Sequence, residues 1–232
     1  MKKYLNLKFV GILLVLEGFL IFIPTILLGS SINWPQVLDE PASVVLPLIY
    51  QQAVPTTVGY YGYLVYSILF FPAVALTAMV ASKHDQISPT ITIAIVFSGL
   101  SALARSIGIL RWLTVMPLLA NKYQGDVANQ EMIAIVFEAI NAYGGSIGED
   151  LGVSIFASLA VGLLSFYTFK HKTLPTWASY LGLISALAIL VPSVSIFGID
   201  VGIFNVVSVS ILQVWFTAVG GYFLIGKSKR SI

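Results

Sequence analysis

Cysteine is absent from this 232-residue chain, and histidine is scarce. Without cysteine the protein can form neither disulfides nor thiolate metal sites. The two histidines, His84 and His171, fall in separate polar segments, so zinc and haem lack converging ligands. Glycine-rich phosphate loops and nucleic-acid-binding signatures are also absent. The sequence therefore predicts no metal, no cofactor and no nucleic-acid partner.

Charged residues are also scarce, and long apolar runs make up much of the chain. Hydrophobic residues make up 58% of the chain and charged residues only 9%, and no water-soluble fold of this size can bury so much apolar surface. Crossing a bilayer takes about 20 residues of helix. Six apolar runs have suitable lengths, at residues 9–30, 58–81, 90–118, 151–169, 177–197 and 203–225. The predicted fold is all-α, a polytopic transmembrane helix bundle forming one integral membrane domain.

The few charges alternate in sign from one connecting segment to the next. Nine of the twelve bases fall on what becomes one side, namely Lys2, Lys3, Lys8, Lys83, Lys170, Lys172, Lys227, Lys229 and Arg230. Most acids fall on the other side, at Asp39, Glu40, Asp126, Glu131, Glu138, Glu149, Asp150 and Asp200. The positive-inside rule then predicts a multipass plasma-membrane protein with cytoplasmic termini. Its basic rim suits contact with anionic membrane lipids.

The segment between the third and fourth spans has a helical pattern of its own. Residues 131–143 place four apolar side chains on one face, Ile133, Val136, Phe137 and Ile140. Glu138 lies on the opposite face, and Gly144, Gly145 and Gly148 are expected to break the helix before the fourth span. We therefore expect an outer amphipathic helix, which is either a lid over the bundle or a half-crossing helix.

Three ionisable residues lie within the predicted spans: Glu17 in the first, and Arg105 and Arg111 in the third. A charge inside the bilayer costs several kcal/mol unless it faces protein and a partner. One interpretation is a ligand site for an anion or carboxylate, which the planar guanidinium fork suits. The other is structural, with Arg105 paired to Glu17, and Arg111 paired to Glu149 or Asp150. Glu17 alone is also a candidate proton-carrying carboxyl.

Other polar residues complete the candidate ligand set. Trp112 shares a helical stripe with Arg105, and Gln213 shares one with small residues of the sixth span. Such small-residue stripes are more often helix-packing seams than ligand walls. Residues 144–148 match the G-x-S-x-G pattern of hydrolases, but no preceding strand and no nearby histidine base accompany it. We therefore expect no catalytic site and no enzymatic activity.

The second half of the chain carries a family signature. The run Leu174-Pro175-Thr176-Trp177-Ala178-Ser179-Tyr180-Leu181-Gly182-Leu183-Ile184-Ser185-Ala186, preceded by Gly152, resembles the prokaryotic membrane family DUF4386. The resemblance covers residues 151–227 and implies a bundle of about six helices without an established activity. Family members often carry an acid after the glutamine of the last span, whereas Val214 follows Gln213 here.

These features favour a non-enzymatic bundle that binds or transports a small amphipathic or anionic ligand in an outward-facing pocket near Arg105, Arg111 and Trp112. The predicted ligand-binding set also includes Glu17, Glu138, Glu149, Asp150 and Gln213. The first alternative is an accessory or scaffolding subunit, either a homo-oligomer or bound to a partner membrane subunit, in which the charges only pair. The second is a lipid-modifying membrane enzyme.

Overall fold

A computed structural model describes residues 6–82, 88–199, 201 and 204–226. Throughout these ranges the regular structure is helical, as predicted. Ten α-helices occur: α1 Leu7–Leu20, α2 Phe22–Ile32, α3 Ala42–Gln51, α4 Ala53–Ala81, α5 Pro89–Leu113, α6 Val115–Gly125, α7 Gln130–Gly145, α8 Ser158–His171, α9 Thr176–Leu190 and α10 Phe204–Ile225. Short 3₁₀ segments occupy Gln36–Asp39, Val127–Asn129 and Val191–Phe197, and a π-helix covers Ser146–Ala157.

Six helices are long and apolar enough to cross a membrane, which confirms the predicted number of spans. They run over Leu7–Ile32, Ala53–Ala81, Pro89–Gly125, Val127–His171, Thr176–Phe197 and Val206–Ile225. The protein is therefore a multipass membrane protein. The fourth has 45 residues, or about 67 Å of helix at 1.5 Å per residue, which exceeds a hydrocarbon core of about 30 Å. Part of it must extend past the core.

The expected helix break at Gly144, Gly145 and Gly148 is wrong. The chain stays helical through these glycines, because α7 continues directly into the π-helix Ser146–Ala157. The glycines instead allow close packing, since a Cβ on Gly148 would lie 3.3 Å from the Cα of Gly108. π-Helical turns are rare and occur frequently at functional sites.

The described residues form two compact units, and the prediction of one membrane domain stays a prediction. The first unit contains residues up to 19, 68–102 and 150 onward. Small residues set its helix contacts: a Cβ on Gly182 of α9 would lie 2.7 Å from Nε1 of Trp215 on α10. That indole donates a hydrogen bond to the carbonyl of Ala178 over 2.9 Å. Close approach at small residues is the usual packing of membrane helices.

The second unit contains residues 20–67 and 103–149. Its core joins α2, α3, α4, α6 and α7 with the end of α5, around Leu28, Leu46, Tyr60, Met116 and Phe137. The predicted amphipathic helix is present as α7. Ile133 and Phe137 are buried there and Ile140 is partly buried, while Val136 is exposed. The buried face of α7 therefore completes the core of this unit.

Several charges behind the topology prediction lie outside the described residues, at positions 2, 3, 83, 84, 200, 227, 229 and 230, as does the predicted start of the sixth span at 203. Of the described bases, Lys8 lies at the start of α1, Lys170 lies in the last turn of α8 and Lys172 follows that helix. The side of the membrane that each faces stays a prediction.

Candidate functional site

Aromatic and cationic side chains of α4 and α5 meet inside the second unit. The rings of Tyr60 and Trp112 stack with centroids 4.8 Å apart and planes 7° from parallel. About two turns further along α4, the Arg105 guanidinium lies over the Tyr66 ring, 4.5 Å from its centroid. Tyr60 is thus level with Trp112 and Tyr66 with Arg105, so the two helices run antiparallel here.

Arg111 is held by contacts on several sides. Its Nη1 donates a hydrogen bond to the carbonyl oxygen of Gly108 over 3.0 Å, and its guanidinium lies 5.4 Å from the Trp112 ring centroid. The side chain is buried, although it carries a charge. Stacking on an aromatic face offsets part of the desolvation of a guanidinium. The contacts fix the charge at one place in the unit.

Gly144 makes room for this arginine. A Cβ built on Gly144 would lie 2.5 Å from Cδ of Arg111 and 2.9 Å from its Nη1, closer than such atoms can approach. On the neighbouring Gly145 the nearest contact would be 3.5 Å, to Nη2 of Arg111, which is ordinary van der Waals distance. The Arg111 side chain therefore crosses α7 at Gly144, where a side chain would occupy its place.

Two buried hydrogen-bond donors of this cluster have no acceptor within the described part of the chain. They are the hydroxyl of Tyr60 and Nε of Arg111. The two side chains are close enough to interact electrostatically. A buried polar group without a partner costs about 1–3 kcal/mol. Two such donors in one cluster would suit a ligand group that only accepts hydrogen bonds.

Tyr63 lies within the electrostatic influence of both arginines. It interacts electrostatically with Arg105, with Arg111 and with Glu149, and its ring centroid lies 5.9 Å from that of Tyr66. Two basic side chains, Arg105 and Arg111, and one acid, Glu149, therefore act on Tyr63. Charge balance at this position therefore favours an additional anion.

The predicted site residues divide between the two units. Arg105, Arg111, Trp112 and Glu149 all belong to the cluster just described, and Glu149 is the acid that interacts with Arg111. Glu149 itself is exposed and lies on the π-helix. Glu138 belongs to the same unit but is an exposed residue of α7.

The remaining candidates lie in the first unit. Glu17 and Gln213 are both buried, on α1 and α10. These helices approach each other closely, because a Cβ on Gly18 would lie 3.2 Å from the Gln213 carbonyl oxygen. Asp150 accepts a hydrogen bond from the Ser195 hydroxyl over 2.7 Å. Their role in ligand binding stays a prediction.

Helix α4 contributes residues to the cluster that were not predicted from the sequence. Thr56, Tyr60, Tyr63 and Ser67 follow one another at spacings of four, three and four residues, which places them on one face of a helix. That periodicity was available as a signal for a polar stripe in the second span. The partners of Arg111 on α7 had no such signal, since a glycine that accommodates a distant side chain resembles any other glycine.

Comparison with known proteins gives one result. The family model described as "Domain of unknown function (DUF4386)" matches residues 9–226. Comparisons with curated proteins and with solved structures give no match. Any functional conclusion must therefore rest on the chemistry of the site itself.

Proposed function

Because the chain belongs to the DUF4386 family, whose function is unknown, we propose its function from the site: the protein binds a small anionic or anionic amphipathic molecule beside Arg111, Tyr60 and Trp112. The observation that carries this proposal is the pair of buried donors, the Tyr60 hydroxyl and Nε of Arg111, for which the described residues provide no acceptor. A carboxylate or phosphate oxygen supplies acceptors only, so it satisfies both donors.

The charges of the cluster support an anion over a cation. An aromatic cage alone would suit a quaternary ammonium ion, and Tyr60, Tyr63, Tyr66 and Trp112 provide enough rings. However, the Arg105 and Arg111 guanidinium groups already lie over Tyr66 and Trp112. A cationic ligand would meet two positive charges and a single acid, Glu149. An anionic ligand would instead meet more positive than negative charge.

We propose that binding, rather than catalysis, is the activity of this site. The cluster consists of guanidinium groups, phenol hydroxyls and an indole, and its one carboxylate, Glu149, is exposed. Guanidinium groups remain protonated at physiological pH and act as fixed donors rather than as acids or bases. Such a donor set holds an anion in place.

Native mass spectrometry of the detergent-solubilised protein tests the proposal. Purified protein is incubated with phosphatidylglycerol or with inorganic phosphate, and the bound fraction is compared for wild type, Arg111→Gln and the control Lys122→Gln. Lys122 is an exposed base on α6 in the same unit, so its loss changes net charge without touching the site. We expect Arg111→Gln to weaken retention about tenfold or more, since a charge-assisted hydrogen bond contributes roughly 1.5–3 kcal/mol. Equal retention in all three proteins would refute the site.

We also propose that the termini and Lys172 lie in the cytoplasm, whereas Ser31 and Gln124 lie outside. The absence of natural cysteine makes single substitutions specific. In intact cells, Ser31→Cys and Gln124→Cys should react with a membrane-impermeant maleimide, and Lys172→Cys should react only after lysis. External reaction at Lys172→Cys would reverse the proposed orientation.

A further inference from the structure

The polar face of α4 contains more unsatisfied hydroxyls than a single binding site needs. Besides Tyr60, the hydroxyls of Thr56 and Ser67 are buried and have no hydrogen-bond partner among the residues that the structure describes. Serine and threonine in a helix commonly bond to a carbonyl in the preceding turn, as Thr77 of the same helix does with Ala73 over 2.7 Å. Thr56 and Ser67 therefore differ from an ordinary buried helix hydroxyl.

These hydroxyls follow the axis of the helix. Thr56, Tyr60 and Ser67 lie on one face, and Ser67 follows Thr56 by eleven positions, which correspond to about 16 Å of helix. Ala53–Ala81 is 29 residues long, so Thr56 lies near the end of this span and Ser67 lies at its middle. A polar face thus leads from the end of the span to the depth where an unsatisfied hydroxyl is most costly.

Two guanidinium groups lie along this part of α4. Tyr60 interacts with Arg111, while Ser67 follows Tyr66, whose ring lies under Arg105. Six residues separate Arg105 from Arg111, or about 9 Å along a helix. Tyr63 interacts with both arginines. The cluster therefore has two positions at which a guanidinium lies over an aromatic ring, Arg111 at Trp112 and Arg105 at Tyr66. Tyr60 and Ser67, whose hydroxyls have no partner among the described residues, lie at about the same two levels of α4.

From this arrangement we propose that Thr56, Tyr60 and Ser67 line a track along which an oxyanion enters past Thr56 and then passes from Arg111 to Arg105. The proposal rests on the proposed function for its chemistry and extends it from binding to movement. The ligand class is a small carboxylate, phosphate or sulfonate group, either free in water or part of a lipid head group. Tyr63, which interacts with both arginines, marks the middle of the track.

Cysteine accessibility tests the track without knowledge of the natural ligand. Ser67→Cys is a nearly isosteric change and Thr56→Cys removes one methyl group, in a chain without natural cysteine. Thr77→Cys is the matched control, because Thr77 is equally buried on α4 but has its hydroxyl satisfied. Each detergent-solubilised variant is treated with a negatively charged methanethiosulfonate, which carries a sulfonate, and with a positively charged one. Rates are normalised to those of Gln124→Cys, an exposed position.

We expect Thr56→Cys and Ser67→Cys to react with the anionic reagent, and to prefer it over the cationic reagent by about fivefold or more, the effect of a nearby guanidinium. Thr77→Cys should remain unreactive. Adding Arg111→Gln should abolish the preference at Thr56→Cys. If Thr56→Cys reacts and Ser67→Cys does not, the track is refuted, although anion binding at Arg111 is not. Reaction of both variants at equal rates with the anionic and cationic reagents would also refute the track without refuting binding at Arg111. Failure of the proposed function appears separately, as equal retention by wild type and Arg111→Gln in native mass spectrometry.

Protection of Thr56→Cys from the anionic reagent distinguishes a lipid head group from a free oxyanion. Slower reaction of Thr56→Cys with the anionic reagent in micelles containing phosphatidylglycerol, but not with inorganic phosphate, supports a lipid head group as the occupant. Slower reaction with inorganic phosphate supports a free oxyanion. No protection by either compound would overturn occupancy of the track by this ligand class.

Discussion

Replacing Gly144 with alanine tests how Arg111 is positioned. The new methyl group would lie 2.5 Å from Cδ of Arg111, so either the arginine or α7 must move. Inserting one methyl group into a filled site costs about 1–3 kcal/mol, and alanine regains about 1 kcal/mol over glycine within a helix. We expect a net loss of up to about 2 kcal/mol in the free energy of unfolding.

Gly145→Ala is the matched control one residue further along α7. Its methyl group would meet Arg111 only at 3.5 Å, an ordinary contact, so this variant should be stabilised by about 0.5–1 kcal/mol through helix propensity. Unfolding in mixed micelles, followed by tryptophan fluorescence, measures both variants under the same conditions. The two alanines should therefore have opposite effects on stability although they are adjacent.

A double-mutant cycle identifies the clashing atom. If Arg111 is the cause, Gly144→Ala should lose its penalty in an Arg111→Ala background, with a coupling energy of at least about 1 kcal/mol. An unchanged penalty in that background would show that α7 packs against something else at Gly144. The interpretation of Gly144 as a positioning residue for Arg111 would then be wrong.

Two further predictions use matched pairs in the same assay. Gly182→Ala should destabilise the protein by about 1–3 kcal/mol, because its Cβ would clash with Oγ of Ser165 on α8 and with Nε1 of Trp215 on α10, the latter at 2.7 Å. Gly221→Ala should not destabilise the protein, since nothing lies within 4 Å of its Cβ. Equal stability of the two variants would contradict the packing of α9 on α8 and α10. Without added ligand, Tyr60→Phe should be neutral or stabilising by up to about 1–3 kcal/mol through loss of an unsatisfied buried hydroxyl, and it should weaken anion binding. The control Tyr61→Phe changes an exposed ring, and a large loss of stability in Tyr60→Phe alone would mean that its hydroxyl has a partner.

The sequence predicted the fold well because bilayer-crossing helices have a strong local signal. Length and hydropathy identified all six long apolar helices, and the apolar periodicity around Ile133 and Phe137 identified α7. Local rules failed at Gly144, Gly145 and Gly148, where glycine predicted a break. The chain remains helical there because the absence of side chains lets α7 and the π-helix approach Gly108 and Arg111, and this tertiary gain outweighs the low helix propensity of glycine.

The candidate site was only partly predictable. Buried charge identified Arg105 and Arg111, because an arginine within a span must face protein. The partners on α4 were missed, since a tyrosine in a membrane span is as compatible with a packed core or an interface as with a ligand wall. Only the structure shows that Tyr60 stacks on Trp112 while its hydroxyl has no partner in the described residues.

The most direct test is an experimental structure of the protein purified with its native lipids retained. We expect density for a bound anion or anionic head group within hydrogen-bond distance of the Tyr60 hydroxyl and of Nε of Arg111, the donors that lack acceptors in the described chain. A dry, filled interior in which protein side chains satisfy both donors would contradict it, and would favour an accessory or scaffolding subunit whose charges only pair.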